Sequence, residues 1–267
     1  MPSDWLIPEW PAPAGVHAFF TTRHGGTSAR PYDSMNLGDH VGDAADAVEA
    51  NRALLRKQAG AHAVFLKQVH GHHIVELDGA TPDGVEADAA TTQLSGVACT
   101  IMVADCLPVL LASEDGMRVA AAHAGWRGLA GEGHSGILEE IFVSFNPLAQ
   151  AGRGLSAIKT IAWLGPCIGP TAFEVGPEVK AAFEAVQAAS GDCFVATGAG
   201  KYLADLPALA RLRLQALGIN EIYGNDGSDA WCTVRNASLF FSHRRDAGIH
   251  GNGFGTTGRM AACIWRD

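Results

Sequence analysis

Between residues 97 and 124 the chain strings together short, almost unbroken apolar runs, VACTIMVA, PVLLAS and MRVAAAHA, separated only by DCL and EDG. Runs of this length with no polar face read as strands covered on both sides. The same pattern predicts strands at GVHAFFTT, AVFLKQVH, HHIVEL, AIKTIAWLG, LFFSHRR and GRMAACIW. Helical segments are expected at DAADAVEANRALLRKQAG, GILEEIFVSF, PEVKAAFEAVQAA and LADLPALARLRLQAL. Asp43 is placed to cap the first and Gly60 to stop it. Pro177 suits the first turn of the third, and Gly218 ends the fourth.

Several adjacent apolar strands follow one another without an intervening helix, so a mixed α+β fold is expected rather than a regular βαβ alternation. There is no internal repeat and no clear linker, so residues 1–267 read as one domain. GRGLS at 152–156 is the nearest thing to a boundary. No GxGxxG opens a helix after a strand and no GxxxxGK[ST] is present, which excludes a nucleotide P-loop. The glycine-rich GIHGNGFGTTG follows SHRRDA and precedes a strand, so it reads as a loop.

Composition narrows the function. The 267 residues are 48% hydrophobic and 18% charged with a net charge of −9, an ordinary globular balance without the basic face that nucleic acid requires. A small anionic ligand remains compatible, because a few arginines suffice locally. No window approaches a membrane span, and the N-terminal stretch lacks the basic and apolar regions of a signal peptide. The six cysteines form no CxxC pair and read as reduced thiols, so a cytoplasmic location is expected. Protein partners and oligomeric state stay open.

Three coordinating residues fall at the exits of apolar runs: His70 after FLKQV, Cys106 after TIMVAD and His123 after VAAA. Two imidazoles and a thiolate suit zinc, and three protein ligands leave a fourth position open. Each residue alone is more often a packed Cys or a hydrogen-bonded His than a ligand. Cys106 also reads as a nucleophile paired with His123. His72 could join His70 on one face of an extended segment, which raises copper, but the many histidines of a trinuclear copper cluster are missing. Arginines next to or near glycine form a second theme: Arg23, Arg127, Arg244, Arg245 and Arg259. Cys167, in WLGPCIGP, and the remaining cysteines read as packed or inert.

The motifs FFTTRHGGTS, SMNLGDHVGD, LKQVHG, ADAATT, VADCLPVLL, AAHAGWRGL, GPCIGP, FEVG and TGRMAACIW resemble those of the laccase-domain family. The resemblance spans roughly residues 17 to 265. The family's older label is multicopper polyphenol oxidoreductase; it is now described as purine nucleoside phosphorylase with adenosine deaminase activity. The resemblance implies a single α/β/β/α four-layer domain and a zinc site, with copper possible, at His70, Cys106 and His123. It further implies phosphorolysis of adenosine, inosine, guanosine and methylthioadenosine, and deamination of adenosine. Asp105 then reads either as a proton carrier or as an orienting group. Phosphate would fall to one or more of Arg23, Arg52, Arg127 and Arg245. A copper-dependent polyphenol oxidase, a Cys-His hydrolase or amidase acting on cell-wall precursors, and a binding module with a structural zinc stay open as alternatives.

Overall fold

The computed structural model describes residues 2, 4–133, 135–146, 158–247 and 256–267. The GRGLS segment and most of the glycine-rich GIHGNGFGTTG stretch lie outside the described residues. The first half holds β1 (Val16–Phe20), α1 (Ala45–Ala59), β2 (His62–Phe65), β3 (Ile74–Glu76) and β4 (Ala89–Thr92). It continues through β5 (Val97–Val103), β6 (Leu107–Ser113), β7 (Val119–Ala124), α2 (Trp126–Ala130) and α3 (Ile137–Phe145). The second half holds β8 (Thr160–Leu164), β9 (Glu174–Val175), α4 (Pro177–Val186), β10 (Phe194–Gly198) and β11 (Lys201–Ala204). It ends with α5 (Leu206–Ala216), β12 (Glu221–Gly224), α6 (His243–Asp246) and β13 (Met260–Arg266).

These strands form two large mixed sheets, ordered β1-β13-β5-β2 and β12-β8-β6-β7-β4-β3, and a small hairpin sheet, β10-β11-β9. The two large sheets pack face to face. Cys99, Ile101 and Val103 of β5 point between them with Phe20, Leu110, Ala112, Ala121 and Trp163. The alternate residues Ala98 and Met102 point outward and pack with Leu55 and Ala59 of α1. On the far side, Val109, Leu111 and Ala122 pack against Leu138, Ile141, Phe183, Leu209 and Leu214 of α3, α4 and α5. The layers are therefore helix, sheet, sheet, helix, as the resemblance implies. β5, β6 and β7 bury both faces, which is why the central runs show no polar alternation.

Several elements differ from the sequence reading. LFFSHRR is not a strand: Phe240 and Phe241 are buried from a turn, and Ser242 caps α6 by accepting a hydrogen bond from the Arg245 N–H. Asp43 does not cap α1; its carboxylate accepts from the Asn36 amide and the Ala44 N–H, one residue short of the helix. The AVFLKQVH strand stops at Phe65, and the segment written as the start of α5 pairs instead as β11. Gly60 ends α1 in the left-handed region at φ 64°.

Candidate metal centre and its cavity

The connection from β5 to β6 crosses from one large sheet to the other, and it consists of Ala104, Asp105 and Cys106. The link from β2 to β3 makes the same crossing and carries His70. His123 lies in β7, paired with Pro108 of β6. The fold therefore brings three sequence-distant residues to one place, where the crossing connections meet. Their ligand atoms all lie within 4.8 Å of one another. Cys106 Sγ is 3.7 Å from His70 Nε2, and the two imidazoles meet edge to face at 4.7 Å. His72 and His73 lie outside this group and face each other at 6.0 Å.

Glycine makes the convergence sterically possible. A Cβ at Gly125 would stand 2.9 Å from His70 Cδ2 and 3.1 Å from Cys106 Sγ. A Cβ at Gly128 would meet the Gly71 carbonyl at 2.6 Å, so α2 closes onto the His70 loop only where side chains are absent. The spacing of HAGWRG has its cause here.

A fully buried carboxylate, Asp88, underlies the group. It accepts a hydrogen bond from His123 Nδ1 at 2.8 Å and from the backbone N–H groups of Val69, His70 and Gly71 at 3.2, 2.9 and 2.7 Å. Burial pushes Asp88 up, but His123 and these N–H groups outweigh it and hold it below the usual carboxylate range. Burial likewise pushes the Cys106 thiol up, yet His123 and His70 bring it down to about 6. His123 is opposed by burial and raised to about 9 by the Cys106 thiolate and Asp88. A thiolate and two imidazoles, one with its outer nitrogen already bonded to a carboxylate, match the donor set and the outer hydrogen bonding of a zinc site.

Asp105 has φ 88°, a left-handed conformation that Asp tolerates better than most residues. Its carboxylate accepts from Thr233 Oγ1 at 2.5 Å and from the Arg244 N–H at 2.6 Å. It thus ties the Cys106 turn to the start of α6.

The centre opens into a cavity of about 300 Å³, at the small end of ligand sites. Met102, Trp126, Ile168, Phe173 and Leu206 give it apolar walls. His40, His243, Arg244 and Arg259 also line it, with the Arg244 guanidinium 5.6 Å over the Phe173 ring. Gln68 lines it as well, its amide exchanging two 2.8 Å hydrogen bonds with the Met102 backbone. Burial and the Arg259 charge push His40 and His243 below the ordinary histidine range.

The arginines named for phosphate from sequence do not line this cavity. Arg23 donates to the Asp33 and Ala237 carbonyls and stacks on Phe241. Arg52 is buried between Asp39 and Asp83 against the Phe65 ring. Arg245 donates to Asp246 and to the carbonyls of Thr233, Val234 and Phe240. Arg127 is exposed, its guanidinium 4.4 Å over Trp126, which does line the cavity. Arg244 and Arg259 were visible in sequence beside glycine or in a basic pair; His40, His243 and Asp88 carried no such signal.

Comparison with known proteins now separates the possible families. The sequence profile described as multi-copper polyphenol oxidoreductase laccase matches residues 17–267. The chain belongs to this family. It is 45% identical over 265 residues to the purine nucleoside phosphorylase YfiH of Escherichia coli, covering 98% of this chain and 99% of that protein. It is 44% identical to a purine nucleoside phosphorylase of Pseudomonas aeruginosa, covering 98% of each. The crystal structure of a Neisseria meningitidis protein superposes with a TM-score of 0.83 at 43% identity, covering 99% of this chain and all (100%) of that one. YlmD from Geobacillus stearothermophilus superposes at 0.82 with 31% identity, covering 100% of this chain and 97% of that one. Among the described residues no helix is long and apolar enough to cross a membrane.

Proposed function

We propose that the protein is a zinc-dependent purine nucleoside phosphorylase that also deaminates adenosine, with both reactions at the His70–Cys106–His123 centre. The observation that carries the reading is the shared cavity: a three-ligand group, flat apolar walls and two arginines line one space. The names of the relatives add the substrate class. A copper-dependent oxidase draws support from the family description but not from the ligand inventory, since the group holds His70, Cys106 and His123 without His72 or His73.

In phosphorolysis a phosphate oxygen bonds to C1′ of the ribose as the C1′–N9 bond breaks, giving ribose 1-phosphate and the free base. The Phe173 and Trp126 rings, which line the cavity, suit contact with a purine. Arg244 and Arg259 replace the four arginines first considered, because they line the cavity and can fork onto phosphate oxygens. A divalent ion held by His70, Cys106 and His123 would supply Lewis acidity at this place. His123 keeps its outer nitrogen committed to Asp88, which directs Nε2 to the cavity. Deamination consumes water and releases ammonia in the same space. Asp105 acts there as an orienting group, since both its oxygens accept from Thr233 and Arg244.

A second reading has its own observation: Cys106, His123 and Asp88 stand in the order of a thiol–imidazole–carboxylate hydrolase. The two readings separate with zinc-loaded and chelated protein given inosine with phosphate, and adenosine without it. The phosphorylase reading expects hypoxanthine and inosine, respectively, from the loaded protein, and neither after chelation or in Cys106→Ala. Full turnover after chelation would favour the thiol hydrolase.

A further inference from the structure

Two of the three ligand residues depend on one carboxylate. Asp88 stands just before β4, and the antiparallel register of β4 with β7, Ala89 opposite Ala122, brings it beside His123. The backbones join as well, the His123 N–H donating to the Asp88 carbonyl at 2.7 Å. From this place the side chain reaches the His123 ring and the His70 loop together. The N–H groups of Val69, His70 and Gly71 converge on its two oxygens, as successive amides converge on a bound anion. His70 takes φ 62° inside that wrap, in the left-handed region that few non-glycine residues adopt. The anion held by the loop is thus the protein's own carboxylate.

We propose that Asp88 is the positioning residue of the metal centre: by accepting from His123 Nδ1 and from the His70 loop at once, it sets the approach of both imidazoles to Cys106. This rests on the metal reading of the site, but not on the identity of the nucleoside. Asn at this position keeps the shape but loses the charge and replaces one acceptor oxygen with a donor. His123 would then be free to turn or to carry its proton on the nitrogen that faces Cys106.

The test is zinc affinity of the purified full chain, by competition with a chromogenic chelator, for wild type, Asp88→Asn and Asp88→Glu, with circular dichroism to check folding. A folded Asp88→Asn should bind zinc about 10- to 100-fold more weakly. Asp88→Glu, with its carboxylate carried one methylene further, should also be weakened. Wild-type affinity in folded Asp88→Asn would overturn the proposal. Should that variant fail to fold, the zinc-loaded wild type decides. Nitrogen-15 histidine spectra, with His123 assigned by loss of its signal in His123→Asn, should show the His123 proton on Nδ1. A proton on Nε2 would overturn the proposal. A wild type that binds no zinc would overturn the metal reading and this inference with it, whereas zinc bound without nucleoside turnover would fail only the substrate reading.

Discussion

Arg52 and Arg259 make an instructive pair. Arg52 is 5% exposed and enclosed by Asp39, Asp83, the Leu37 carbonyl and the Phe65 ring. Arg259 faces the cavity; its guanidinium donates to the carbonyls of Thr257 and Gly258. Burial pulls Arg259 below its ordinary value, and the groups that oppose this are Cys106, Asp105 and Tyr32. The first guanidinium has its charge answered by carboxylates within the fold, and the second turns to the space beside the candidate centre. A phosphate dianion gains most from the second arrangement. Of the two, only Arg259 stands beside a glycine in sequence, Gly258.

The sharpest way to break this comparison is to remove each arginine in turn. Arg259→Ala should lower kcat/KM for phosphorolysis by about 10²-fold, carried largely by KM for phosphate. Arg52→Ala should instead cost about 1–3 kcal/mol of stability in denaturant unfolding and leave KM for phosphate near wild type. A reversed pattern would return phosphate to the residue first picked from sequence.

A second prediction sharpens the contrast between Cys106 and the structural thiols. In chelated protein, alkylation of Cys106 should rise as pH passes through about 6 and level off near neutrality. Burial holds Cys193 up to about 11 and Cys263 up to about 12, so at pH 7.5 they should react more than about 100-fold more slowly. The direction follows from the shift: a lowered thiol pKa extends the thiolate to lower pH. Zinc should slow the Cys106 reaction. Mass spectrometry of the alkylated peptides reads both effects, and a Cys106 rate that climbs only toward pH 9 would contradict the charge assignment.

Much of this architecture is legible in the sequence because the central strands bury both faces. VACTIMVA and PVLLAS hold together as apolar runs whatever their partners. The ligand trio is legible because His and Cys at strand exits stand out chemically. Asp88 is not, since its role depends on which residue β7 sets beside it. The LFFSHRR segment misleads for a related reason: Phe240 and Phe241 are apolar to fill the space between the sheets, while Ser242 starts a helix. Which arginines line the cavity is likewise decided by tertiary contacts. Asp39, Asp83 and Asp246, which occupy Arg52 and Arg245, show no such pairing in the sequence pattern.

The central claim is that phosphate, rather than water, cleaves the nucleoside at this site. Its most direct test follows hypoxanthine and ribose 1-phosphate together as zinc-loaded protein acts on inosine over a range of phosphate concentrations. The account predicts the two products in equal amounts, at a rate that vanishes without phosphate. Base release that continues without phosphate and yields free ribose would contradict it.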